Sequence, residues 1–155
     1  MDVVVLGGRE RNDPSDQKKV VEVLEGLRKK YGTTMVVFSV SCDQGIGSFV
    51  KSHCVKTMDE NNRHAFKFIE AAMHVFAELP RAHMNRVYGA RNSSLLKLGD
   101  EFHVFVYPDQ KGTLQEFIAE AVATERPVYL YELGRPDCKL LNLIDEHGRF
   151  DRVEL

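Results

Sequence analysis

Arg91 and Glu116 flank a short polar turn, Pro108-Asp109-Gln110-Lys111-Gly112-Thr113. Their types suit work on a phosphorylated sugar. A guanidinium holds phosphate or polarises a substrate. A carboxylate can steady an oxocarbenium-like centre, attack as a nucleophile, or bind a ribose hydroxyl. Between them, Gly112 and Thr113 offer backbone N–H groups and a hydroxyl at the start of a helix, where phosphate is held well, and Lys111 adds charge. Each residue also has a plainer occupation. Thr113 and Glu116 match the T-x-x-E capping box. Gly112 makes a turn, Arg91 suits a surface ion pair, and Asn92 suits the cap of the helix that follows it.

Two earlier stretches have the same form. Gly7-Gly8-Arg9 follows the apolar run Val3-Val4-Val5-Leu6, and Gly45-Ile46-Gly47-Ser48 follows Thr34 to Val40. Alone, each is a tight strand-to-helix turn, and no G-x-G-x-x-G is present. Together they matter more, because parallel strands would gather three such turns on one edge of a sheet, where ligands bind in open α/β folds. Cys42, beside Asp43, would sit near a helix start, where thiols ionise more easily. No histidine is spaced as its partner, so a cysteine hydrolase is a minor alternative.

The elements that must position these groups follow from periodicity. Val3 to Leu6 is continuously apolar, as in a strand buried on both faces. A helix is predicted over Asp16 to Tyr31, with Val20, Val23, Leu24, Leu27 and Tyr31 on one face, Asp13 or Ser15 as its cap and Gly32 as its stop. Strands are predicted over Thr34 to Val40, Phe66 to Ala71, Phe102 to Tyr107 and Pro127 to Tyr131. A helix follows the Gly45 turn, with Ile46, Phe49, Val50, Cys54 and Val55 on its buried side. Asn92 to Leu98 is a short helix, and Thr113 to Thr124 carries an i, i+3, i+4, i+7 apolar stripe. The tail, about 140–155, reads as a small hairpin with Gly148 in its turn. The alternation predicts one domain over 1–155, a Rossmann-like, doubly wound, mostly parallel sheet with helices on both faces.

Composition narrows the function. A net charge of −2 leaves no basic stripe, which disfavours a dedicated nucleic-acid binder. No apolar run approaches a membrane span, and the N-terminal MDVVVLGG lacks the features of a signal peptide. Three cysteines (Cys42, Cys54, Cys138) form no C-x-x-C pair and six histidines show no ligand spacing, so no metal site is expected and a cytoplasmic setting is.

Three segments, VVVLGG, DQGIGSFV and RNSSLLKLGDEFHVFVYPDQKGTLQEF, together resemble the SLOG superfamily of Rossmann-like nucleotide-binding domains, which includes the Lonely Guy (LOG) phosphoribohydrolases. That family places an Arg-Lys pair where Arg91-Asn92 stands and a PGGxGTxxE motif where Pro108 to Glu116 stands. The resemblance implies Arg91 and Glu116 as the catalytic pair. It implies a phosphate or nucleotide site at Gly112 and Thr113. Asp109 and Gln110 depart from the paired glycines, and Asn92 from the lysine. A homodimer is also implied, and no cofactor.

The resulting expectation is a nucleotide-binding protein, a hydrolase or transferase acting at the N-glycosidic bond of a nucleoside monophosphate. Arg91 and Glu116 would be catalytic. Gly7, Gly8, Arg9, Gly45, Gly47, Ser48, Asn92, Lys111, Gly112 and Thr113 would bind. The alternative is a non-catalytic sensor of a nucleotide-derived ligand, and beyond that a scaffold. The partner in the first two readings is a small-molecule nucleotide.

Overall fold

A computed structural model describes residues 1–8, 13–40, 45–71, 91–106, 113–132, 140–144 and 150–151, with the backbone alone at Thr113, Glu132, 140–144 and 150–151. Strand β1 (Asp2–Gly7) leads to helix α1 (Pro14–Tyr31), β2 (Val36–Val40), α2 (Ile46–Lys56) and β3 (Lys67–Ala71). Helix α3 is described over residues 91–98. It leads to β4 (Glu101–Val106), α4 (Thr113–Ala123), β5 (Val128–Glu132), β6 (Leu140–Ile144) and β7 (Phe150–Asp151).

The strands form one sheet in the order β3-β2-β1-β4-β5-β6-β7. The first five are parallel, with Val3 opposite Val37 and Glu101, and Phe102 opposite Val128. This is the Rossmann-like α/β arrangement that the alternation predicts. Parallel neighbours need a crossover of a dozen or more residues, which helices supply. The chain winds outward from β1 in one direction to β2 and β3, and in the other to β4 and β5. The seam between β1 and β4 is therefore the topological switch point.

The continuous apolarity of β1 is used on both faces. Val3 and Val5 pack with Val20, Leu24, Leu27, Ile46, Phe49 and Val50 of α1 and α2. Val4 and Leu6 pack with Leu95 and Leu96 of α3, Phe117 and Ala121 of α4, and Phe102 and Val104. Asp13 caps α1, accepting from the Ser15 N–H at 3.0 Å, with Pro14 in the first helical position where its missing N–H costs nothing. Gly32 ends that helix at φ 69°, a left-handed value that favours glycine.

Two boundaries depart from expectation. Thr34 lies in a short 3₁₀ turn, its hydroxyl donating to the Tyr31 carbonyl at 3.2 Å, so β2 begins at Val36. Arg91 is already helical, so Asn92 stands inside α3 and is not the cap of its first turn. The tail is the expected hairpin, β6 pairing antiparallel with β7, and it joins the edge of the sheet. Strand β6 adds antiparallel to β5, with Val128 opposite Ile144, and β7 adds to β6. Gly148 lies outside the described residues.

Candidate functional site

The carboxyl ends of the parallel strands make one rim of the molecule, and the helix starts come to it. Helix α3 runs back along the sheet towards the opposite rim. Its far end is fixed there by the Asp100 N–H donating to the Asp2 carbonyl at 2.7 Å, and by the Asp2 N–H donating to Asp100 Oδ2 at 2.8 Å. At Gly99 a Cβ would lie 2.7 Å from Val4 Cγ2 and 2.8 Å from Phe102 Cε1, so the helix ends directly over the β1–β4 seam. Eight helical residues rise about 12 Å, which carries Arg91 towards the carboxyl rim along the same seam.

Helix α4 begins at that rim, after β4, and packs on the same sheet face as α3. Phe117 is its anchor, fully buried and edge-to-face with Phe102 at 5.9 Å between centroids. Glu116 precedes Phe117 in the first helical turn and is exposed. Arg91 and Glu116 therefore ride on helices of one face whose N-terminal ends share one rim. Arg91 is half-buried, and its Nε and Nη2 donate to Asn92 Oδ1 at 3.3 Å each. Asn92 is only 7% exposed.

The two glycine turns meet each other. The Ile46 N–H, first in α2, donates to the Gly8 carbonyl at 3.2 Å. A Cβ on Gly7 would lie 2.6 Å from Ile46 Cβ. Gly7 is thus small because α2 packs on it, and the first N–H of α2 is used within the protein. Gly45 takes φ 78°, which favours glycine, and supplies no side-chain cap. Gly47 is buried and Ser48 half-buried, and helix geometry directs their N–H groups out of the first turn. Thr113 opens α4. Arg9, Lys111 and Gly112 lie outside the described residues, as does Cys42.

Periodicity alone did not reveal a buried polar chain on the α1 side of the sheet. The Tyr31 hydroxyl donates to Glu101 Oε2 at 2.6 Å, His103 Nε2 lies 2.8 Å from Glu101 Oε1, and His103 Nδ1 lies 2.8 Å from the Tyr131 hydroxyl. The His103 ring stacks on Tyr129 at 4.5 Å. Burial pushes the Glu101 carboxyl up, but the hydrogen bonds from His103 and Tyr31 outweigh it and hold it below the ordinary range. Burial keeps His103 below its ordinary value despite Glu101, so the imidazole is neutral. A carboxylate accepts only, so Nε2 carries the proton and Tyr131 donates to Nδ1. The available signal was the alternation Glu101, His103, Phe105 beside Tyr129 and Tyr131. The chain runs from Glu101 at the amino end of β4 to Tyr131 near the carboxyl end of β5, on the sheet face opposite α3.

Cys54 is buried, and burial first, then the Glu25 charge, pushes its thiol up to about 12, which suits a packing role. No described helix is long and apolar enough to cross a membrane. The fold and rim define a Rossmann-like α/β arrangement with two amphipathic helices, α3 and α4, packed on one face beside its switch point. No family model, curated protein or solved structure matches the chain.

Proposed function

We propose that the chain is a nucleotide-binding protein of the SLOG and LOG type, whose site lies on the carboxyl rim at the β1–β4 seam. In this reading Arg91 holds a nucleoside monophosphate and Glu116 acts at its N-glycosidic bond, releasing the base. The observation that carries it is the shared rim and shared sheet face of α3 and α4, on which the two charges ride. Helix starts favour anions, and switch-point crevices are where open α/β sheets take ligands.

The exposure of Glu116 favours a second reading, binding without turnover. A carboxylate in water lacks the shielded surroundings that make acid–base and nucleophilic work efficient. One experiment separates the two. The chain and its Glu116→Ala variant are incubated with the four common nucleoside monophosphates, and free base is followed by chromatography. Base release by the wild type, abolished in the variant, supports the enzyme. A rise in melting temperature with nucleotide but no base supports the sensor, since ligand at about 100 times its Kd stabilises by about 2.7 kcal/mol. The absence of both responses refutes the nucleotide site.

A further inference from the structure

Asn92 occupies a position that an aliphatic side chain would fill. Residues 92, 95 and 96 fall on one face of a helix. Leu95 and Leu96 on that face belong to the core against Val4, Leu6, Phe102 and Val104. Asn92 continues the inward stripe one turn nearer the carboxyl rim, over the seam, and is more than nine-tenths buried.

The orientation of its amide is fixed by its neighbour. A guanidinium only donates, so the atom that receives Arg91 Nε and Nη2 at 3.3 Å is the oxygen. The nitrogen faces the other way. It makes no hydrogen bond among the described residues, where no sealed side-chain nitrogen or oxygen lacks a partner. Nδ2 therefore reaches accessible space. Burying an amide without matched partners costs about 1–3 kcal/mol, which a leucine here would avoid.

We propose that Asn92 reads the ligand: its amide N–H groups donate to an acceptor of the bound nucleoside monophosphate, while its Oδ1 holds the Arg91 guanidinium in register. This rests on the rim being a nucleotide site. Arg91 supplies charge, which attracts any phosphate. Asn92 supplies a directed, uncharged donor next to it, and this selects for an acceptor at one place on the ligand.

The test is isothermal titration of the intact chain with adenosine, guanosine, cytidine and uridine monophosphates, repeated on Asn92→Leu. The leucine keeps the volume of the stripe and removes both the donors and the oxygen that holds Arg91. The expected result is an unchanged or higher melting temperature with a Kd weakened about tenfold to a hundredfold, the range for a lost hydrogen bond to a charged or polar ligand group. If the leucine variant does not fold, Asn92→Asp replaces it. That variant keeps the oxygen that holds Arg91, lacks the donors, and must weaken binding in the folded protein. A folded variant of either kind that binds as tightly as wild type overturns the inference while leaving the nucleotide site standing. A wild type that binds none of the four overturns both.

Discussion

Replacing Tyr31 with Phe removes one oxygen and leaves the ring. In the folded chain that oxygen donates to Glu101 Oε2 at 2.6 Å, and the carboxylate is 3% exposed. A hydrogen bond to a charged group is worth about 1.5–3 kcal/mol, and a buried acceptor left short loses that contribution. Tyr31 itself is half-buried, so water can partly refill the position. The expected loss is then at the low end, about 1–2 kcal/mol near neutral pH, or a fall of roughly 2–8 °C in melting temperature for a chain of this size. The pH dependence carries the sharper test. The folded Glu101 carboxyl lies below its ordinary value, so its stabilisation is present above the unfolded carboxyl range and is lost as pH falls through the folded value. His103 is held neutral by burial, so the unfolded chain gains a proton first as pH drops below about 6.5. Both groups bind more protons when unfolded, and both make the fold less stable in acid. Without the Tyr31 donor, the folded carboxyl moves up and its acid loss begins at higher pH. Melting curves of both proteins between about pH 7 and pH 3 should differ most near neutrality and converge in acid. Equal melting temperatures at pH 7, with parallel curves below it, would refute the account of Glu101 as an ionised, hydrogen-bonded core residue.

Gly7→Ala should cost about 1–3 kcal/mol in a urea titration, because the added methyl meets the Ile46 side chain of α2; an unchanged midpoint would show that α2 can step aside. In a Cys42→Ser, Cys138→Ser background, Cys54 should react with a thiol reagent at pH 8 about a thousandfold more slowly when folded than in urea, since its thiol is held near 12. Equal rates would place that thiol in water.

Much of this architecture could be read along the chain because local patterns determine it. The run Val3 to Leu6 is apolar on both alternating sides, and β1 does serve two cores. The stripe Leu114, Phe117, Ile118, Ala121 and Val122 marks α4, and those residues do meet the sheet. Lateral relations were less legible. Gly7 reads as a phosphate turn until Ile46, many residues later, is seen packed against it. Glu101, His103 and Tyr131 look like ordinary strand residues, because only the β4–β5 register sets His103 opposite Tyr129 and Phe105 opposite Tyr131. The tail pattern suggests a hairpin of two short strands, which β6 and β7 form, but not that β6 also pairs with β5. At the rim, Arg91 and Glu116 were visible as types at a spacing. Their common face follows only from how α3 and α4 lie on the sheet, and the burial of Asn92 had no local signal.

Strand β1 gives the molecule mechanical unity. Its odd positions hold α1 and α2, its even positions hold α3 and α4, and the two sets alternate along a single backbone. A shift of this strand by one residue would exchange the two sets and turn every contact in both layers wrong at once. Neither layer can loosen by sliding while the other stays put. The two faces are therefore expected to melt as one cooperative unit, and the rim above β1 inherits that stiffness from below.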